Sequence, residues 1–174
     1  VGFGLLAALV WGAGDFCGGL ATRRAPPFSV VLVAEISGAV LLLLAALAWR
    51  QPLPNLPTLG WSAGAGLSGA IGLVALYTAL ARGQMGVVAP TSAVIAALVP
   101  IIASAYLEGA PDTTQMLGFA VALLAVWLLS GTGAGAGRRA GSIHELRLAL
   151  LAGLGFGFYF VLIDRADPLS GFWN

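Results

Sequence analysis

Lysine is absent from this sequence, cysteine occurs once, at Cys17, and histidine once, at His144. A single cysteine excludes a disulfide framework and leaves the redox compartment unmarked. A lone histidine, with no cysteine or carboxylate cluster at ligand spacing, points to no metal and no cofactor. Charge of either sign is scarce: 9% of the 174 residues are charged, and the net charge is +1. The eight basic residues, all arginine, sit at the ends of apolar runs and form no patch, so no nucleic-acid partner is expected. So few charges cannot cover the surface of a soluble domain. No nucleophile motif is present. The run Gly133-Ala134-Gly135-Ala136-Gly137 lacks the strand and the Gly-Lys-Ser/Thr ending of a phosphate loop. No enzyme is expected.

What remains is apolar. Hydrophobic residues make up 59% of the chain and the mean hydropathy is +0.97, so lipid is the solvent for most of it. At 1.5 Å per residue, six runs are long enough, or nearly so, to span a bilayer. They lie at Val1–Leu20, Phe28–Trp49, Leu56–Ala81, Val87–Leu107, Gln115–Ser130 and Leu146–Ile163. The sequence therefore predicts an all-α membrane protein with about six transmembrane helices. The first run has no charged leader and an acid in its centre, which is unlike a cleaved signal peptide. A start on Val1 and an end on Phe172-Trp173-Asn174 read as a piece of a longer protein.

The longest break, Gly131–Ser142, is glycine-rich and is the best domain boundary. Beyond it the opening of the chain returns. Leu5-Leu6-Ala7 matches Leu150-Leu151-Ala152, Leu9 matches Leu154 and Gly12 matches Gly157. Arg24-Ala25, Pro27 and Ser29 match Arg165-Ala166, Pro168 and Ser170 after a gap of about one turn. We read residues 1–131 as a first five-helix repeat, 132–144 as a linker and 145–174 as the start of a second repeat. An odd number of spans makes the second repeat inverted, a plan that places a substrate site between the halves. The register that pairs Leu5 with Leu150 puts Phe160 opposite Asp15. In the third run Gly60, Gly64, Ser68 and Gly72 recur every four residues, a face for close helix packing. Gly14 and Gly18 repeat the device in the first run, and Gly153 and Gly157 in the sixth. Arginines 23, 24, 82, 138, 139 and 147 fall on one side of the membrane, and Arg50 and Arg165 on the other, which would place Val1 outside.

Asp15 and Glu35 are the acids inside spans. In antiparallel spans one and two, both fall about 4–5 Å from the midplane on the same side. A charge this deep costs on the order of 2.5–3.5 kcal/mol, so such residues are candidate proton or cation acceptors. The competing reading has each acid held by a neighbouring helix or by Arg24 or Arg82 reaching inward. Span four contains Pro90 near its start, followed by Thr91 and Ser92, and an interior Pro100 that should kink the helix and free carbonyls. Trp11 and Tyr159 lie nearest to span centres and are candidate cavity walls; Tyr77, Tyr106 and Trp127 lie further out. The candidate coupling and cavity residues are therefore Asp15, Glu35, Trp11, Pro90, Thr91, Ser92 and Tyr159.

The stretch WGAGDFCGGLATRRA of span one, with the run from Tyr77 to Leu129, resembles EamA-like proteins of the drug/metabolite transporter superfamily. The resemblance rests on Tyr77 to Arg82, Pro90, Pro100, Glu108, Gln115 and Gly118. It covers about residues 1–131 well and the renewed copy weakly, and Glu108-Gly109 reverses the family's usual order. It implies ten helices in full length as two inverted five-helix repeats, in a multi-pass protein of the bacterial inner (plasma) membrane with a cytoplasmic N-terminus, opposite to the arginine reading. It also implies export or exchange of small metabolites or drugs through a central cavity. The partners expected are a small-molecule substrate and the lipid bilayer. Two alternatives stand beside a transporter: a flippase for lipid-linked or phosphorylated metabolites, which wants inward-facing arginines, and a non-transporting membrane anchor or regulatory subunit.

Overall fold

A computed structural model of the chain describes residues 2–82, 85–107, 109, 111–132, 143–166 and 171. Most of the expected linker, 133–142, lies outside the described residues. So do Glu108, Arg138, Arg139, the end of the expected second repeat apart from Gly171, and the side chain of Trp127. The described residues form six helices and no strands. They are α1 (Gly2–Ala21), α2 (Pro27–Ala48), α3 (Leu56–Ala81), α4 (Met85–Leu107), α5 (Thr113–Thr132) and α6 (Ile143–Ile163). α1, α2, α3 and α6, with α4 from Val88 onward, are long and apolar enough to cross a membrane. In α5 the apolar stretch among described side chains, Thr113–Ala125, is shorter. The chain is an all-α, multi-pass membrane protein.

The helix boundaries follow local chemistry. Pro27 opens α2 at a position whose N–H has no helical partner. Its far end closes with the Arg50 N–H on the Leu47 carbonyl at 3.1 Å and the Gln51 N–H on the Ala46 carbonyl at 3.0 Å. Arg50 takes φ 51° there, a left-handed position that glycine usually fills. At α3 the Asn55 side chain accepts from the Thr58 N–H at 2.9 Å. α5 begins on a reciprocal pair: the Gln115 N–H donates to Asp112 Oδ1 at 2.8 Å, and the Asp112 N–H donates to Gln115 Oε1 at 3.0 Å. Asp112→Ala removes this cap, and a loss of about 0.5–2 kcal/mol is expected. It should appear as a lower unfolding midpoint in detergent, while Thr114→Ala, which leaves the pair intact, should not show it.

α6 is the centre of the arrangement. It packs along both α3 and α4, which touch each other only sparsely; α1 and α2 lean on α3, and α5 on α4. Glycines allow this. An added Cβ at Gly155 would stand 2.7 Å from the Gly72 Cα, and one at Gly72 would stand 3.2 Å from the Ala152 carbonyl oxygen. On the other face of α6, Cβ atoms at Gly153 and Gly157 would meet Ile95 and Val99 at 2.5 Å. The Ser68 hydroxyl donates to the Gly155 carbonyl at 2.8 Å. The small-residue row of α3 thus serves packing from Gly64, which faces Leu162, to Gly72, whereas Gly60 has open space beside it. Such close backbone approach supplies by dispersion the association that hydrophobicity cannot supply in lipid. The buried core continues from Leu76, Tyr77 and Leu80 of α3 to Val31, Val88 and Ala149.

Candidate functional site

Beside this packed layer lies a cavity of about 1070 Å³ to which all six helices contribute. α4 presents one face to it: Ala89, Ser92, Ala93, Ala96, Ala97, Pro100, Ile101 and Ser104 recur at helical spacings of three and four. Most of these side chains are small, and that is what leaves the volume. α3 contributes Gly66, Gly69, Leu73, Leu76 and Tyr77; α1 contributes Val10, Trp11, Gly14 and Asp15. α2 adds Ala34 and Glu35, α5 adds Phe119, and α6 adds Phe156, Tyr159 and Phe160.

Five of the seven candidate residues therefore line one cavity: Asp15, Glu35, Trp11, Ser92 and Tyr159. Pro90 and Thr91 are not among its lining residues. A helix turns about 100° per residue, so a face that carries Ala89, Ser92 and Ala93 turns Thr91 away from it. The helix also starts at Met85, two residues before the expected Val87, which makes Pro90 an interior proline like Pro100. Pro100, expected as a kink, is in the lining. The Ser92 hydroxyl is buried and donates to the Ala89 carbonyl at 2.9 Å.

The cavity is built on aromatic rings seated over glycines. Tyr77 lies against Gly18 of α1, which has no side chain to obstruct it, and its hydroxyl donates to the Gly14 carbonyl at 3.5 Å. Asp15 of α1 and Glu35 of α2 line the same cavity as Tyr77 of α3. Tyr159 rests on Gly69, where an added Cβ would stand 3.2 Å from its ring. Trp11 stacks on Phe160 with centroids 5.9 Å apart and planes at 21°, and lies 6.3 Å from Tyr159; the Tyr159 and Phe160 rings meet edge-on at 5.3 Å. Asp15 is half-buried, whereas Glu35 is open to the cavity side. None of the lining residues is Arg, Lys or His. Arg165 lines a smaller adjoining pocket of about 210 Å³ with Asp164. No group of three or more His, Cys, Asp or Glu that could hold a metal ion occurs among the described residues.

Sequence reasoning named neither Phe160 nor Tyr77 as a wall. The register that pairs Leu5 with Leu150 also pairs Trp11 with Phe156, Gly14 with Tyr159 and Asp15 with Phe160, and all six positions line the same cavity. That pairing was the signal that could have found Phe156 and Phe160.

Comparison with known proteins gives the chain a family: the model of the EamA-like transporter family matches residues 1–131. The chain belongs to the EamA-like transporter family. Members of this family move small molecules across membranes. The chain is also 27% identical to an uncharacterized protein of Methanocaldococcus jannaschii over 128 residues, which covers 73% of this chain and 93% of the relative. No solved structure matches the chain. Helix α6, with its three lining aromatics, lies beyond the residues that the family model matches.

Proposed function

We propose that this family member is a secondary transporter, an exporter or exchanger of small organic metabolites or drugs, working by alternating access with Asp15 and Glu35 as proton or cation acceptors. The observation that carries the reading is that Asp15 of α1 and Glu35 of α2 line, together with Tyr77, a single large cavity. A carboxyl in lipid is costly when charged and cheap when protonated, so its charge is coupled to what else occupies the cavity. The recurrence of the α1 lining positions in α6 supports an inverted second repeat that starts at residue 145, and with it two halves that can rock about the site. The family resemblance supports a place in the bacterial inner membrane as part of this reading.

The flippase reading loses support here, because Arg24, Arg82 and Arg165 are not among the residues that line the main cavity. A passive anchor has little reason to bear two intramembrane carboxyls.

The test is to plug the cavity. Ala93 is exposed on the lining face of α4. Ala93→Trp should abolish solute-driven proton movement in proteoliposomes loaded with a pH-sensitive dye, while the detergent-solubilised protein keeps its elution position and unfolding midpoint. Wild-type flux through the plugged protein would mean that the pathway lies elsewhere.

A further inference from the structure

The arginines are dispersed in the sequence, and the fold gathers four of them. α1 ends where α3 ends, since Gly18 meets Tyr77 and Gly19 meets Leu80. α6 runs against α3, with Gly155 on Gly72 and Leu162 beside Gly64, so it begins at that same end. Arg23 and Arg24 in the turn after α1, Arg82 after α3 and Arg147 near the start of α6 therefore share one end of the bundle, and all four are exposed. Buried Val31, Leu80, Val88 and Ala149 tie the helix ends together beneath them. The turn after α1 is itself fixed: the Thr22 hydroxyl donates to the Gly19 carbonyl at 2.8 Å, and the Arg24 N–H to the Ala21 carbonyl at 3.0 Å.

Charge at this end is not balanced. Apart from the cavity acids Asp15 and Glu35, the acid here among the described residues is Glu145. The opposite end carries Arg50 and Arg165 together with Asp112 and Asp164, and sums to zero among the described residues. The helix dipole favours a cation at a C-terminus, which suits Arg23, Arg24 and Arg82, but it gives no favour to Arg147 near the N-terminus of α6. A guanidinium matches phosphate oxygens with paired N–H donors. Leu20, Phe28 and Leu146 stand exposed at the same end, so an anion that carries acyl chains meets apolar surface directly beside the arginines. A free anion would leave that surface unused.

We propose that Arg23, Arg24, Arg82 and Arg147 bind the headgroups of anionic phospholipids, whose acyl chains lie along Leu20, Phe28 and Leu146. The site is distinct from the cavity and stands whether or not the transport reading does.

A headgroup-labelled phosphatidylglycerol, added to the full chain in a neutral detergent and followed by fluorescence anisotropy, reads the binding. Unlabelled phosphatidylglycerol should displace the probe, and phosphatidylcholine and glycerol phosphate should not. A basic residue near a membrane surface contributes about 1 kcal/mol toward anionic lipid, about 5-fold in affinity. Arg82→Gln and Arg147→Gln should each weaken the probe by about that factor, while Arg50→Gln and Arg165→Gln at the balanced end leave it unchanged. If the Arg82 and Arg147 variants do not fold, Arg23→Gln with Arg24→Gln, in the turn outside the helices, reads the same site. Equal displacement by phosphatidylcholine, or equal loss from variants at the two ends, overturns the inference, as does wild-type affinity in the folded variants. Displacement by glycerol phosphate as strong as by the lipid also overturns it, because the arginines would then hold a free phosphate and not a lipid.

Discussion

Gly155→Val should leave no stable folded protein after extraction into detergent. At this position α6 crosses α3 with backbone against backbone: a Cβ would stand 2.7 Å from both the Cα and the N of Gly72, and 2.8 Å from the Ser68 carbonyl oxygen. These are main-chain atoms of a helix, and no flexible side chain can yield to the added group. The helices must separate, and the Ser68 hydroxyl then loses the Gly155 carbonyl. Overpacking commonly costs about 1–3 kcal/mol and more where backbones must move. Valine adds three carbons at a place with no room for one, so the effect should reach the top of that range, a large share of the roughly 5–15 kcal/mol that holds a typical domain. Thermal unfolding followed by size-exclusion chromatography reads it. Gly60→Val is the control, because Gly60 has nothing within 4 Å of an added Cβ, and its midpoint should stay close to the wild type. A Gly155→Val protein that melts like the wild type would exclude the α3–α6 crossing.

Asp15→Asn should abolish pH-driven transport and leave the protein folded. Asparagine keeps the shape of the side chain and its capacity for hydrogen bonds but can neither hold nor release a proton. Asp15 is half-buried at the cavity edge rather than in the packed core, so the fold should tolerate the change. A carrier coupled through this carboxyl would lose the proton gradient as a driving force yet retain solute exchange down the solute's own gradient. Proteoliposomes preloaded with solute separate the two modes: counterflow persists, while uptake driven by an imposed pH difference disappears. Wild-type uptake in Asp15→Asn, with loss in Glu35→Gln, would move the coupling role to Glu35.

How much of this was legible from residue order differs between the fold and the site. Hydropathy located every helix, since a chain with so little charge must hide its backbone in helices wherever lipid is its solvent. The span Leu56–Ala81 agrees to the residue. The largest discrepancy is at α6, which starts at Ile143 and not Leu146. His144 and Glu145 form a polar first turn that an apolar count does not see, although an acid there suits the helix N-terminus. The site was legible in part because its acids and central aromatics are anomalous wherever they face. Which hydroxyls and prolines join them depends on rotation about a helix axis, and rotation is set by neighbours. The neighbour that sets α4 is α6, through Gly153 and Gly157 against Ile95 and Val99. From one helix alone, Thr91 and Ser92 are equivalent candidates; against α6 they are not. The small residues from Ala89 to Ala97 were the overlooked signal, because their stripe marks the face on which volume is left.

The wedge made by α6 has a consequence for assembly. The groove between α3 and α4 belongs to the part of the chain that the family model matches, and the helix that fills it lies outside that part. The two are joined in one polypeptide, so filling the groove is a first-order event. Its effective concentration is set by covalent attachment and does not change with the amount of protein in the membrane. A repeat expressed without α6 would have to recruit that helix from another molecule, and its folding would then depend on protein density in the membrane. Covalent fusion removes that dependence, and it also fixes the ratio of acid-bearing to ring-bearing walls at one to one in every molecule.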